Sequence, residues 1–564
     1  LSTTPPDVIE LIAYYAATSD LPGPPRDIVP LLSTCRTIYY SLSFQHNHGL
    51  YADIFRFKFD CGAPIRRFAN DPLCRTSSTG LSLELRSRFE ALRYMRTVVQ
   101  TKTCITHSKE ETIRHLWTIY FMCTESDRKN FVQLVSYGDL KTFLRVCMEE
   151  LLLPAIETEE YVLETLDRTL VAWILWLSTT LGKPPSETRC CPFNSFSGRI
   201  YSAYLAPWMI FRISPEKDSN RPLPRFKPCQ PDQGSTDRYA ANVRLEDRSV
   251  VVSLYGYPIC LTPPLLSHAA FLSYFVRLER RSLYEANDLG TVKYVSRRLP
   301  CMKDSSRLDG DFYRWVKVAS SFESCVDRYD FRLRTCVDPH TWQRKTRFLP
   351  PGMFTGDWEG KFAFTDFDSF RDMLDGDDDA IHSATIGQQP QVWSIREHQH
   401  NPKLAAALES WGHTDRHGVH RAPISTKPVL PGPSLNAHLP EDVEIEEVHP
   451  DYGMIHFASF SGIDEHSFGG LEDDSEEEDE SDIILTGKGH SAWGLFELKG
   501  RVRRWDGLIS IVKTYVSDEG RGSWLYRGYI LSGGIWVGRW RDTLTDEDTN
   551  GYEGAFAMTR RTEP

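Results

Sequence analysis

The chain has 564 residues, of which 41% are hydrophobic and 12% aromatic, so it is too long for a single core and carries enough apolar material for roughly three domains. Its formal charge of −12 is unevenly spread: residues 428–487 hold seventeen Asp or Glu and no Lys or Arg, a local −17 that leaves +5 on the remainder and no basic footprint for nucleic acid. The thirteen Cys include no Cys-x-x-Cys pair, which argues against a zinc or dithiol site and against a disulfide framework, and predicts reduced thiols in a cytoplasmic or nuclear protein.

At the N-terminus Pro5 and Pro6 fix φ where a first helical turn needs no donors, and Asp7 suits the positive end of the macrodipole. Val8, Ile9, Leu11, Ile12 and Tyr15 then give an apolar stripe, so a short amphipathic helix is expected. Asp7 and Glu10 interrupt the apolar run, and no secretory signal is expected there. The run Leu21-Pro22-Gly23-Pro24-Pro25 breaks this helix. Ile28, Leu31, Leu32, Cys35, Ile38, Tyr39 and Leu42 restart one in steps of three and four, and Leu50 to Phe55 closes the unit. About sixty residues bury too small a fraction of their surface to be secure alone, so the apolar face is expected to pack on a partner or on the following domain.

From residue 61 to 300 a helical middle domain is predicted. Leu85, Phe89, Leu92 and Val99 form one stripe; Ile113, Leu116, Trp117 and Tyr120 form another; Phe143, Leu144, Cys147 and Leu151 form a third. Leu170 to Leu177 is the most apolar run, but eight residues fall far short of the roughly 20 a bilayer span needs, so it reads as a buried core helix and no membrane partner is expected. Lys183 to Asp247, rich in Pro, Gly, Ser and Asp, reads as long loops, and residues 301–350 as a linker.

Beyond Pro350-Pro351-Gly352 the period changes to two. Gly356 to Phe364 alternates, as do Phe496 to Val502, Leu508 to Tyr515, Ser523 to Ile530, Ile535 to Arg541 and Tyr552 to Arg560. With strands at Met454 to Phe460 and Ile483 to Leu485, residues 351–564 are predicted to form an antiparallel β-barrel of about eight strands, the number that closes with a filled interior or one small ligand. The Gly-x-Trp units at 356–358 and 538–540 place an indole on the same face as a glycine, where it can plug a barrel end. Disordered acidic insertions, lacking apolar periodicity, are expected at about 375–450 and 470–482. The fold class is thus α+β and multidomain.

Few constellations carry chemistry. Asp375, Asp377 and Asp379 resemble a calcium loop, but Ala380 replaces the turn Gly and Ile386 the bidentate Glu. His413, His417 and His420 lie among Gly, Pro and Asp residues, so no metal or cofactor is expected. No nucleophile elbow, phosphate loop or dinucleotide fingerprint is present, and no Cys sits in a recognisable activating setting, which favours a binding protein over an enzyme. The tract Glu472 to Asp482 has nine acids in eleven residues. It either keeps a loop solvated or recruits a basic partner, with Ser475 a candidate for acid-directed phosphorylation.

The N-terminal order, with Pro5, Asp7, Val8, Ile9, Leu31, Leu32, Cys35, Arg36, Tyr39, Leu42, Tyr51 and Phe55 in place, resembles an F-box. Together with Pro351, Gly352, Gly356, Trp358 and Gly360 opening a late barrel, the chain is similar to fungal F-box proteins with a C-terminal lipocalin-like barrel. That resemblance implies a non-catalytic subunit of a Skp–cullin–F-box ubiquitin ligase, working with a Skp adaptor and a cullin scaffold. Pro5, Pro6, Val8, Ile9, Ile12, Leu31, Leu32, Cys35, Tyr39 and Leu42 would meet the adaptor, and the barrel would hold an unknown target protein. The alternative is a small-ligand-binding barrel or a non-ligase scaffold. In that case Trp358, Trp524, Tyr526, Trp536, Trp540 and Phe556 line a ligand, although the same residues suit a filled core.

Overall fold

The computed structural model describes residues 4–180 other than 68–75, 105–107, 127 and 159–164, and residues 250–272 other than 262. It also describes residues 354–560 other than 366, 375–385, 401–444, 450–452, 460–482, 492, 503–508, 517–521, 532–534 and 546–550. The linker at 301–350, the calcium-like aspartates, the His413 to His420 run, the acidic tract and Ser475 lie outside the described residues. Contacts divide the chain into an N-terminal and a C-terminal unit.

The N-terminal unit begins with α1 (Pro6–Ala17), α2 (Ile28–Leu32), α3 (Arg36–Leu42) and α4 (His48–Lys58). Asn47 caps α4, accepting from the Leu50 amide at 2.9 Å, and its amide nitrogen bonds the Ser41 carbonyl at 3.0 Å and the Glu10 carboxylate, which fixes α1 against the α3–α4 turn. After α5 (Gly62–Arg67), the long α6 (Ser78–Thr101) buries Leu81, Leu85, Phe89, Leu92, Met95 and Val98. It packs on α4 and on α7 (Lys109–Thr124), whose Ser108 N-cap accepts from the Glu111 amide at 3.2 Å. The short α8 (Lys129–Val132) runs on through Gln133–Tyr137; α9 (Leu140–Cys147) leads through Met148–Leu152 into α10 (Leu153–Thr158). The apolar run read as a core helix is α11 (Leu166–Thr180), buried throughout Leu170 to Leu177. No helix among the described residues is long and apolar enough to cross a membrane.

The first sixty residues do not stand apart from the helices after them. The Pro-rich loop is pinned by Gln133, whose Oε1 accepts from the Gly23 amide at 2.7 Å and whose Nε2 donates to the Leu21 carbonyl at 2.6 Å. Gly23, at φ +87°, lies against the Tyr137 ring, where a side chain would collide. The expected helical middle also contains a β-hairpin, β1 (Val250–Leu254) with β2 (Tyr257–Leu261). Tyr255 and Gly256 form its two-residue turn with φ of 53° and 80°, the double left-handed conformation that matches strand twist.

The C-terminal unit is a closed antiparallel barrel. Its eight strands run in the order β3 (Gly356–Thr365), β12 (Glu553–Arg560), β11 (Ile535–Asp542), β10 (Ser523–Leu531), β9 (Ile509–Tyr515), β8 (Gly494–Val502), β7 (Ile483–Ser491) and β4 (Ile386–His400), and β4 closes on β3. Two expectations change here. The stretch expected to lack regular structure, 375–450, contains the longest strand, β4, together with β5 (Ile445–His449). The strand expected at Met454 to Phe460 does form, as β6 (Gly453–Ser459), but it pairs with β5 and with the far end of β4, outside the closed ring. The eighth barrel strand is therefore β4, because its Trp393 and Ile395 alternate onto the interior.

Glycines opposite large side chains fill the interior in layers. Phe556 faces Gly538, Trp540 faces Gly554, and Trp393 and Phe496 both face Gly489. The Phe496 and Trp540 rings occupy the space that a side chain at Gly489 or Gly554 would need.

Candidate functional site

Helix α1 has two apolar faces. Ile9, Ala13 and Ala17 turn inward and are buried; Val8, Leu11, Ile12 and Tyr15 turn outward. Small residues let α1 approach its neighbours closely, which leaves the larger side chains outside. Val8 is 44% and Tyr15 66% exposed, against 6% for Ile9. On α2 Val29 is exposed, and on α3 Tyr39 and Tyr40 are exposed while Ile38 and Leu42 are buried. Among the described residues, seven of the fourteen exposed large apolar side chains fall between Val8 and Tyr40.

The ten residues expected to meet an adaptor thus divide. Pro5, Pro6, Val8, Ile12, Cys35 and Tyr39 are exposed, Leu31 and Leu32 half-buried. Ile9 and Leu42 are buried in the unit's own core and offer a partner little or no surface, which follows from which face of each helix carries the smaller residues. Leu11, Tyr15, Val29 and Tyr40 join the exposed face. Their helical spacing was visible in the sequence, but the side that buries was not.

The barrel's aromatic residues are core. Trp358, Tyr526, Trp536, Trp540 and Phe556 are buried, and Trp524 packs against them partly buried. The rings meet edge to face: Trp393 lies 5.1 Å from both Trp536 and Tyr526, and Tyr526 lies 5.0 Å from Phe556. One end of the barrel is plugged by Phe354, whose carbonyl accepts from Trp358 Nε1 at 2.8 Å and whose amide donates to the buried Glu397 carboxylate.

The other end differs. Trp493, Phe364, Trp524 and Tyr552 are only partly buried around it. Phe367, Leu495, Val516 and Leu544, the barrel unit's exposed large apolar side chains among the described residues, sit at the strand ends and connections of that same mouth.

Beneath the mouth lies a residue the sequence reading passed over. Ile509, Ile511, Lys513 and Tyr515 share one face of β9, so Lys513 points into the barrel and is 1% exposed. Its Nζ lies 4.1 Å from the Phe496 ring centre, 4.9 Å from Tyr515, 5.0 Å from Phe362 and 5.8 Å from Tyr526. Its hydrogen-bond partner is the Gln391 side-chain oxygen at 3.2 Å, towards which the Tyr526 hydroxyl also points at 3.5 Å. Ring faces favour an ammonium. Burial outweighs them and pushes Lys513 well below the ordinary lysine range, because one amide oxygen replaces a full shell of water. The same burial drives the Tyr526 hydroxyl well above the ordinary tyrosine range. Ser491 Oγ and the Tyr515 hydroxyl complete the polar set, 3.0 Å apart. Among the described residues no cluster of His, Cys, Asp and Glu could hold a metal ion.

Comparison with family models, with curated proteins and with solved structures finds no match to this chain.

Proposed function

We propose that this chain is the substrate-receptor subunit of a Skp–cullin–F-box ubiquitin ligase, bound to the Skp adaptor through α1, α2 and α3. One observation carries the reading: large apolar side chains concentrate on the outer face of the first three helices, Val8, Leu11, Ile12, Tyr15, Val29, Tyr39 and Tyr40. Fully burying an exposed side chain of this kind is worth about 1.5–3 kcal/mol, and covering these, roughly half exposed already, about half of that each, so a face of this composition favours a partner over water. The F-box-like order of the same segment names the partner's class. In the complex the chain supplies no reaction chemistry. Target protein is held at the barrel, whose mouth collects the exposed Phe367, Leu495, Val516 and Leu544, and ubiquitin transfer follows from proximity.

A pull-down with purified Skp adaptor tests this. The intact chain is compared with a Val8→Asp, Ile12→Asp variant, which alters only exposed positions and leaves the Ile9 face untouched. Saturable binding that the variant loses supports the adaptor role. Absence of binding by the folded wild-type chain sinks it.

A further inference from the structure

Target capture by the barrel's rim makes no use of an amine inside the barrel. Lys513 Nζ has Gln391 Oε1 as its partner, and no carboxylate pairs with it among the described residues. A lysine placed inside an apolar wall without a counter-charge is costly to keep charged and nucleophilic when neutral.

We propose that the barrel holds an aldehyde or ketone with an apolar body as an imine on Lys513, admitted through the mouth at Trp493. This goes beyond the adaptor reading and stands whether or not a Skp adaptor binds.

Three features of the barrel carry it. The first is depth. Phe362 touches both levels, its ring 5.0 Å from Lys513 Nζ and 5.1 Å from the Trp493 ring, so the amine lies one ring layer below the mouth. The second is the contrast between the two ends. Phe354, hydrogen-bonded to Glu397 and Trp358, seals one of them. At the other, Trp524 and Tyr552 cover one side, with Phe370 on Tyr552 at 5.0 Å, and Trp493 and Phe364, 5.7 Å apart and only partly buried, cover the side above Phe362, where an entering ligand displaces them. The third is the reacting set. Gln391 Oε1 holds the amine at 3.2 Å, and the Tyr526 hydroxyl, which donates to the same oxygen at 3.5 Å, stands beside it as a proton carrier. Burial also gives Lys513 a larger free-amine fraction than a surface lysine at the same pH.

The step balances without a co-reactant. The amine lone pair attacks the carbonyl carbon and the C=O π pair moves to oxygen. Both amine hydrogens pass to that oxygen, which leaves as water as the C=N bond forms. The walls, Phe362, Phe496, Tyr515, Tyr526 and Met558, select the body of the ligand. A keto acid would bring a carboxylate into a wall of rings and is disfavoured.

The test uses the full chain at pH 7 with dodecanal and cyanoborohydride, whose hydride converts any imine into a stable secondary amine; peptide mass mapping then follows each lysine over time. Lys513 is expected to be alkylated at least about tenfold faster than the surface lysines, through its greater free-amine fraction. Glyoxylate under the same conditions is expected to spare it. Labelling of Lys513 by dodecanal no faster than that of the surface lysines overturns the site, and equal labelling by glyoxylate overturns the ligand class.

Discussion

Arg88 Nη2 lies 2.5 Å from Glu125 Oε2, with no solvent exposure on either side chain. The guanidinium also bonds Glu84 at 2.9 Å, Asn130 at 3.1 Å and the Tyr255 hydroxyl at 3.1 Å, and it lies over the Phe55 ring at 4.9 Å. One charge therefore joins α4, α6, the end of α7, α8 and the β1–β2 turn.

Burial lifts the Glu84 carboxyl above its ordinary range despite Arg88. Burial also works against the Arg88 charge, but Tyr255, Glu84 and Glu125 more than offset it and hold its pKa above the ordinary value. Removing the cation strands two buried carboxyls. Arg88→Met is expected to cost about 3–5 kcal/mol, read as lost hydrogen-exchange protection across α4, α6 and α7. An Arg88→Met, Glu84→Gln, Glu125→Gln variant should recover part of that loss. A single-variant cost below about 1 kcal/mol would show that the network contributes little.

The barrel depends on glycines for steric reasons. A Cβ on Gly538 would sit 2.0 Å from the Arg527 carbonyl oxygen and 2.6 Å from the Gly528 Cα, both backbone atoms that cannot step aside. Gly538→Ala is expected to cost more than the roughly 1–3 kcal/mol of ordinary overpacking, seen as loss of the near-UV aromatic dichroism of the barrel. Gly522→Ala is the comparison: at φ +65° it meets nothing within 4 Å, so only left-handed strain of about 1–2 kcal/mol should appear.

How much of this was legible in the sequence depends on where the signals conflict. Strands β8 to β12 alternate, because apolar residues face the core and charged ones other than Lys513 face outwards, and the sequence read them close to their observed bounds. Strand β4 was missed: Gln388, Gln389 and Gln391 surround Pro390, a residue usually kept out of sheet interiors, and only Trp393 and Ile395 betray the period. Lys513 was hidden for the opposite reason. It occupies an apolar position in a clean strand, where a lone lysine reads as solvent-facing. On α1 the period was legible but the face that buries was not, since both Ile9-Ala13-Ala17 and Val8-Ile12-Tyr15 satisfy helical spacing.

Lys513 should make barrel stability depend on pH. Its folded pKa lies below the unfolded value, so the unfolded chain binds the proton more readily, and the penalty is full below the folded pKa. Stability therefore rises as pH climbs from the folded pKa towards the ordinary value of 10.5. Lys513→Met removes the buried amine while keeping an unbranched apolar chain of similar length. It is expected to stabilise the barrel by about 1–3 kcal/mol at neutral pH and to flatten that rise, followed by denaturant midpoints between pH 6 and about 10. A variant less stable than wild type, with the slope unchanged, would mean that the amine is satisfied where it stands.

Asp542 should give the opposite dependence at the barrel mouth. Its carboxylate accepts from the amides of Thr545 at 2.8 Å, Leu544 at 2.9 Å and Tyr552 at 2.8 Å, so it organises both arms of the β11–β12 connection. Partial burial alone would raise its pKa, but the hydrogen bonds from Thr545, Leu544 and Tyr552 together hold it below the ordinary 3.8. A depressed carboxylate contributes stability that is present above the unfolded value and lost as pH falls through the folded one. Protection of the Leu544, Thr545 and Tyr552 amides is therefore expected to hold from neutral pH down to about 4 and to fall below it. Asp542→Asn should lower that protection at neutral pH and abolish its acid step, because an amide oxygen accepts more weakly and does not titrate in this range. An acid step that survives in the variant would assign it to another carboxylate at the mouth.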